Sequence, residues 1–174
     1  MENKILVAYF VQKGKEKESV SKKVADALGD ALKNKGYEFS TFAIEPVESY
    51  PEDKEKFEAV TRMEKEVRHR PELVGKYSGM KYVERLLLVT PNWWEDMPMG
   101  VYSFLDKYDF AEKRIVPVVV HQGSGENDIT SSLREFVQKV WVLPAVEVSA
   151  SEVGTPAEKE AVEKAIEELF QPSK

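Results

Sequence analysis

The sequence contains no cysteine. That excludes thiol nucleophiles, thiolate-held iron–sulfur clusters and disulfides together, so any redox chemistry has to come from a bound cofactor. Positive charge is in deficit as well: 25 lysines and arginines against 31 aspartates and glutamates leave a formal charge of -6. Such a balance argues against a nucleic-acid surface, which needs a clustered basic face, and suits basic protein partners or none. Long apolar runs are missing too. The run over residues 4–10 is too short for a signal peptide or a membrane span, so no membrane contact and a cytoplasmic protein are expected. The adjacent carboxylates Glu95 and Asp96 have no histidine nearby in sequence and read as a solvated turn, so neither a metal nor a catalytic side chain is expected.

What is present is enough for one core. The 174 residues are 42% hydrophobic, which fits a single domain over residues 1–174. Residues 4–10 form a continuous apolar stretch of the kind buried on both faces of a parallel sheet. Val20, Val24, Leu28 and Leu32 then recur at helical spacing across residues 19–35, with Gly36 placed for a left-handed cap. A short edge strand is expected over residues 39–43. Residues 49–71 read as a charged helix whose Phe57, Val60, Met63 and Val67 make one buried stripe. Residues 83–89 and 115–120 are the third and fourth strands. Pro98 opens a helix after the third, and residues 128–140 form one after the fourth, capped by Asn127 or Asp128. A fifth strand spans residues 142–148, interrupted by Pro144. Thr155-Pro156-Ala157-Glu158 has the spacing of a capping box at the start of a last helix. Strand and helix alternate five times, which predicts a parallel sheet with right-handed crossovers in a three-layer α/β/α sandwich.

In such a sheet, ligands bind beyond the carboxyl ends of the strands, where three loops are expected to meet: residues 11–18, 90–97 and 121–127. The middle loop is the most distinctive. Its Thr90-Pro91-Asn92-Trp93-Trp94-Glu95-Asp96-Met97-Pro98 stretch sets two tryptophans between stiffening prolines. Taken alone, the rings fit either core packing or a stacking platform for a planar ligand. The last loop, His121-Gln122-Gly123-Ser124-Gly125, has two glycines that let backbone approach a ligand.

Tyr9-Phe10, Pro91-Asn92-Trp93-Trp94 with Pro98-Met99, and His121-Gln122-Gly123-Ser124-Gly125 together resemble the bacterial flavodoxin-like family, in order and spacing over nearly the whole chain. The resemblance implies a five-stranded sheet of order 2-1-3-4-5 with flavin mononucleotide (FMN) at the switch point. It implies that Pro91, Asn92, Trp93, Trp94 and Glu95 pack on the isoalloxazine, and that His121, Gln122, Gly123, Ser124 and Gly125 line its other edge. Successive residues of an extended loop point opposite ways, so one tryptophan is expected on the flavin, with Trp94 the choice, and the other against the protein.

Two departures stand out. The family's first loop cradles phosphate with hydroxyls and backbone amides at a helix N-terminus. Here Val11-Gln12-Lys13-Gly14-Lys15-Glu16 keeps only the glycine, so the expected phosphate contacts are the amides around Gly14 with Lys13 or Lys15 as point charges. Glu95 also stands where the family usually has glycine, and glutamate tolerates a positive φ poorly. Two functions follow. One is an FMN-binding redox protein with a redox partner protein, either an electron-transfer carrier or an FMN-dependent oxidoreductase of a small acceptor. The alternative is a flavodoxin-fold binding module that has lost FMN through its altered phosphate loop.

Overall fold

The computed structural model describes residues 4–172. Its parallel strands are β1 (Ile5–Phe10), β2 (Ser40–Ile44), β3 (Arg85–Pro91), β4 (Arg114–His121), β5 (Trp141–Val142) and β6 (Val146–Ser149). They are joined by α1 (Val20–Asn34), α2 (Lys54–Glu66), α3 (Met99–Lys107), α4 (Ile129–Phe136) and α5 (Pro156–Leu169). The order across the sheet is β2-β1-β3-β4-β5, with β6 also on β4, so the predicted order holds. The expected fifth strand is split in two. Pairing runs from Ile115 with Val142 to Val118 with Val146 and skips the level that holds Pro117 on one side and Pro144 near the other. Proline donates nothing to a ladder, which is why the break falls there.

Alternation along each strand divides the core. Leu6, Ala8, Leu86, Leu88, Ile115 and Val119 pack with Phe104, Leu105 and Leu133 under α3 and α4. Ile5, Val7, Leu87, Val116 and Val118 pack with Leu28, Leu32 and Ile166 under α1 and α5. The expected central residues Ile5, Leu6, Val7, Leu87, Leu88, Val118 and Val119 are all buried.

Three local expectations need correction. The stripe expected on α2 is not buried: Val60, Met63 and Val67 are 39%, 56% and 63% exposed, and Thr61 is the helix's only buried residue. The helix lies against the loop after β3 instead of on the sheet, so its inward face is partly polar. The helix after β4 ends at Phe136 instead of Val140, because Val137 turns extended and Lys139 takes φ +56. Its N-cap is Asp128 without a side-chain bond, and the carboxylate of Glu126 accepts from the Thr130 amide in its place. The capping box proposed at Thr155 does not form. The Thr155 hydroxyl donates to the Glu152 carbonyl at 2.5 Å and Glu158 accepts from the Gly154 amide at 2.9 Å. The reciprocal pair sits six residues earlier, between Ser149 and Glu152.

Candidate functional site

A cleft of about 700 Å³ opens at the carboxyl ends of β1, β3 and β4, and all three expected loops reach it. Gln12 and Lys15 line it from the first loop, Pro91, Asn92, Trp93 and Trp94 from the second, and His121, Gln122 and Ser124 from the third. Lys13, Gly14, Glu95, Gly123 and Gly125 do not line it; the first four are exposed.

The loop after β3 is a tight hairpin. Trp93 and Asp96 exchange backbone hydrogen bonds at 2.8 and 3.2 Å, and Trp94 and Glu95 between them both take positive φ, +58 and +63. That two-residue turn ordinarily calls for glycine or asparagine, so the glutamate expected to resist the conformation adopts it. Contacts from α2 hold it. Trp94 Nε1–H donates to Thr61 Oγ1 at 2.9 Å, the Arg62 guanidinium lies 4.0 Å from the centre of the Trp94 ring, and Lys65 Nζ donates to the Trp94 carbonyl. Beneath the turn, buried Asp96 accepts from the Met97 amide at 2.7 Å and from the Tyr102 hydroxyl at 2.6 Å, with Arg68 3.7 Å away. Burial and the Asp96 carboxylate push the Tyr102 hydroxyl up to about 12, so it stays protonated and keeps donating.

The tryptophans diverge because of the turn, not because the loop is extended. Trp93 packs onto the core, with Phe10, Phe57 and Tyr50 meeting it edge to face at 5.0, 5.2 and 5.5 Å. Trp94 lies along α2 with Arg62 on one face. Both rings are half-buried and both border the cleft.

Asn92 ties this loop to the next, donating from Nδ2 to Asn127 Oδ1 at 2.5 Å and to the Gly125 carbonyl at 2.9 Å. His121 Nδ1 accepts from the Gly123 amide at 3.0 Å, which leaves the ring's proton on Nε2. Gly123 takes φ +114, a backbone state that excludes larger residues. From the edge strand, Glu147 accepts from the Glu126 amide at 2.7 Å and steadies the same loop.

The first loop is a series of turns ending at Ser19, whose hydroxyl caps the Lys22 amide at 3.0 Å. The amides of Val20 and Ser21, in the first turn of α1, have no intrahelical acceptor. Ser21 is 5% exposed, borders the cleft, and its hydroxyl makes no hydrogen bond among the described residues. Lys15 Nζ is flanked by Glu18 at 3.6 Å and Glu52 at 3.4 Å, and these two carboxylates hold its ammonium above the ordinary lysine value. Behind the loop, Glu45 is pushed up by burial and by Glu16, with the charge of Lys13 acting the other way.

The sequence reading missed Lys54, Phe57 and Glu58 of α2, which border the cleft from a segment outside the three loops. Phe57 was assigned to a core stripe, and no local pattern reports that its helix covers a site. Among the described residues no group of three or more histidines, aspartates or glutamates is placed to hold a metal ion. Nor is any described helix long and apolar enough to cross a membrane.

A parallel sheet with a cleft at its switch point is the architecture of flavin- and nucleotide-binding α/β proteins. The sequence matches the flavodoxin family model over residues 4–164, and the chain belongs to that family. No curated protein matches the sequence. Among solved structures, the fold is similar to a candidate flavoprotein from Bacteroides eggerthii, with 19% identity, TM-score 0.69, and coverage of 94% of this chain and 98% of that one. It is also similar to a flavoprotein in complex with FMN from Lactobacillus acidophilus (16%, TM-score 0.66, 87% and 96% covered). A third similar structure is an FMN-dependent NADH-azoreductase from Bacillus anthracis in complex with FMN (17%, TM-score 0.53, 96% and 99% covered). At these identities the likeness speaks for the fold.

Proposed function

We propose that this chain binds FMN in the cleft and works as a redox protein, exchanging electrons with a partner protein or reducing a small acceptor. The observation that carries the reading is the donor set of the cleft. Aromatic rings, Gln122 and Ser124 come to the cleft from the loops after β3 and β4, and the Ser21 hydroxyl and the free first-turn amides of α1 come from the segment after β1, a set of donors that suits a molecule with a flat ring and an anionic group. In this reading Pro91, Asn92, Trp93 and Trp94 hold one side of the isoalloxazine. Gln122 and Ser124 hold another edge, and residues 19–21 receive the phosphate. Bound FMN supplies the electron or hydride transfer; the chain binds it, orients it and keeps water from its face. Acidic surface charge disfavours added negative charge on the ring, which lowers its potential.

The alternative, a binding module without FMN, is favoured by the carboxylates of Glu18 and Glu58 at the cleft, which repel a phosphate. Purification and titration decide between them. The expected result is a yellow protein with the absorbance of oxidised flavin, or an apoprotein whose tryptophan fluorescence is quenched by added FMN. A colourless protein whose fluorescence is unchanged by FMN overturns the flavin reading.

A further inference from the structure

We infer that Lys54, at the start of α2, is the residue that makes the cleft select a phosphorylated flavin over an unphosphorylated one, a role the lysines of the first loop do not fill. The inference rests on the flavin reading above and assigns one charge within it.

The phosphate end of the cleft needs a cation. Glu18 and Glu58 border the cleft, and the amides of Val20 and Ser21 with the Ser21 hydroxyl bring only partial positive charge against two carboxylates. Three lysines lie near. Lys13 is exposed, does not border the cleft, and acts electrostatically on Glu45. Lys15 borders it, but Glu18 and Glu52 already surround its ammonium at 3.6 and 3.4 Å, so its charge is offset before any ligand arrives. Lys54 borders the cleft, and its ammonium makes no ion pair or hydrogen bond among the described residues.

Its position matches that role. The bond from Lys15 to Glu52 brings the chain just before α2 against the first loop, and Lys54 follows Glu52 by two residues. Asp53, between them, caps α2 by accepting from the Glu55 and Lys56 amides and so fixes where the helix starts. The result is a phosphate site built from two crossovers: neutral donors from the start of α1, and the free charge from the start of α2. An ammonium can follow a phosphoryl group by rotating its long stem, which suits an exposed position at a cleft's rim.

The test compares FMN with riboflavin, which lacks only the phosphate, by fluorescence titration of the parent, Lys54→Met, Lys54→Arg and the Lys13→Ala, Lys15→Ala double variant. Lys54→Met is expected to weaken FMN binding about tenfold, the size of one exposed charge-assisted contact, and to leave riboflavin binding unchanged. Lys54→Arg should restore most of the preference. The double variant should lose less than Lys54→Met, because Lys13 stands off the cleft and Lys15 acts from a solvent-exposed ion-pair cluster, where screening leaves each charge a small effect. Raising salt should weaken FMN binding to the parent more than to Lys54→Met. An unchanged FMN-to-riboflavin ratio in Lys54→Met, or a larger loss in the double variant, overturns the assignment while leaving the flavin reading in place. A parent that binds neither flavin overturns both.

Discussion

The helices that follow β1 and β2 are fastened to the same molecule by different forces. The first, α1, seats Val24, Ala25, Leu28 and Leu32 in the apolar layer under the sheet. The second, α2, buries only Thr61 and turns Val60, Met63 and Val67 to solvent. Its attachments are directional: a tryptophan N–H to a hydroxyl, a guanidinium over a ring, an ammonium to a carbonyl, and Tyr50 donating to Glu64 at 2.7 Å. Apolar burial scales with area and tolerates sliding, whereas each polar contact depends on geometry. So the body of α1 belongs to the fold and only its first turn reaches the cleft, whereas α2 is fastened at the cleft: its position holds the turn at Trp94 and Glu95, and its start brings Lys54 to the rim.

Replacing one apolar residue of each helix should separate the two. Leu28 is fully buried, so Leu28→Ala should cost about 2 to 5 kcal/mol in urea unfolding. Met63→Ala, on the exposed face of α2, should change stability by no more than about 0.5 kcal/mol. Equal losses at the two positions would mean that α2 is seated like α1.

A smaller effect is expected where α2 meets the tryptophan turn. Trp94→Phe keeps an aromatic ring and removes the bond to Thr61, at about 1 kcal/mol. Thr61 Oγ1 still donates to the Phe57 carbonyl at 2.9 Å, so no buried donor is orphaned. Amide hydrogen exchange should quicken along α2 and residues 92–96 and stay as it was in α1. Uniform quickening over both helices would show that the bond supports global stability, not the local fastening of α2.

These contrasts also mark what the sequence disclosed. The strands and α1 were legible because a buried parallel strand is apolar throughout and a helix on a sheet repeats its apolar residues every three or four positions. Pro144 announced the break in the edge strand; that Pro117 lies at the same level emerges only from the register. The order of strands came with the family resemblance, and the loops at the cleft followed from the rule that ligands lie beyond the carboxyl ends of strands. Residues 49–71 were read by the same periodicity and misplaced, since a helix over a site shows the same spacing as one on a core. Nothing local states that Thr61 faces inward while Met63 does not. The turn at Trp94 and Glu95 was hidden for the converse reason: its residue types oppose its backbone, and the contacts that impose it come from a helix some thirty residues upstream.

That conflict yields the next prediction. Glu95 is exposed and sits at φ +63, where a side chain is strained and glycine is not. Glu95→Gly should raise stability by up to about 1 kcal/mol, less the entropy that glycine adds to the unfolded chain. Differential unfolding of parent and variant measures it. A loss above that size would mean that the glutamate side chain itself helps to hold the turn.

The smallest expected effect tests whether the polar fastening of α2 responds to pH where the apolar seating of α1 does not. Glu64 accepts the Tyr50 hydroxyl, and burial raises its carboxyl above the ordinary value of 4.5, while the Tyr50 hydrogen bond and the charge of His69 act to lower it. Between 4.5 and that raised value the folded protein keeps a proton that the unfolded chain has released. Stability from this group is therefore greatest at low pH and falls as pH rises through the window. Glu64→Gln removes the titration and leaves an amide oxygen for Tyr50 to donate to. Subtracting the variant's urea midpoints from the parent's across this range also removes the parallel contribution of Glu45, which is raised in the same direction and present in both proteins. The difference should decline with rising pH. A difference that stays flat, or that grows with pH, would mean that Glu64 is not held in a desolvated contact and that Tyr50 does not anchor the inward face of α2.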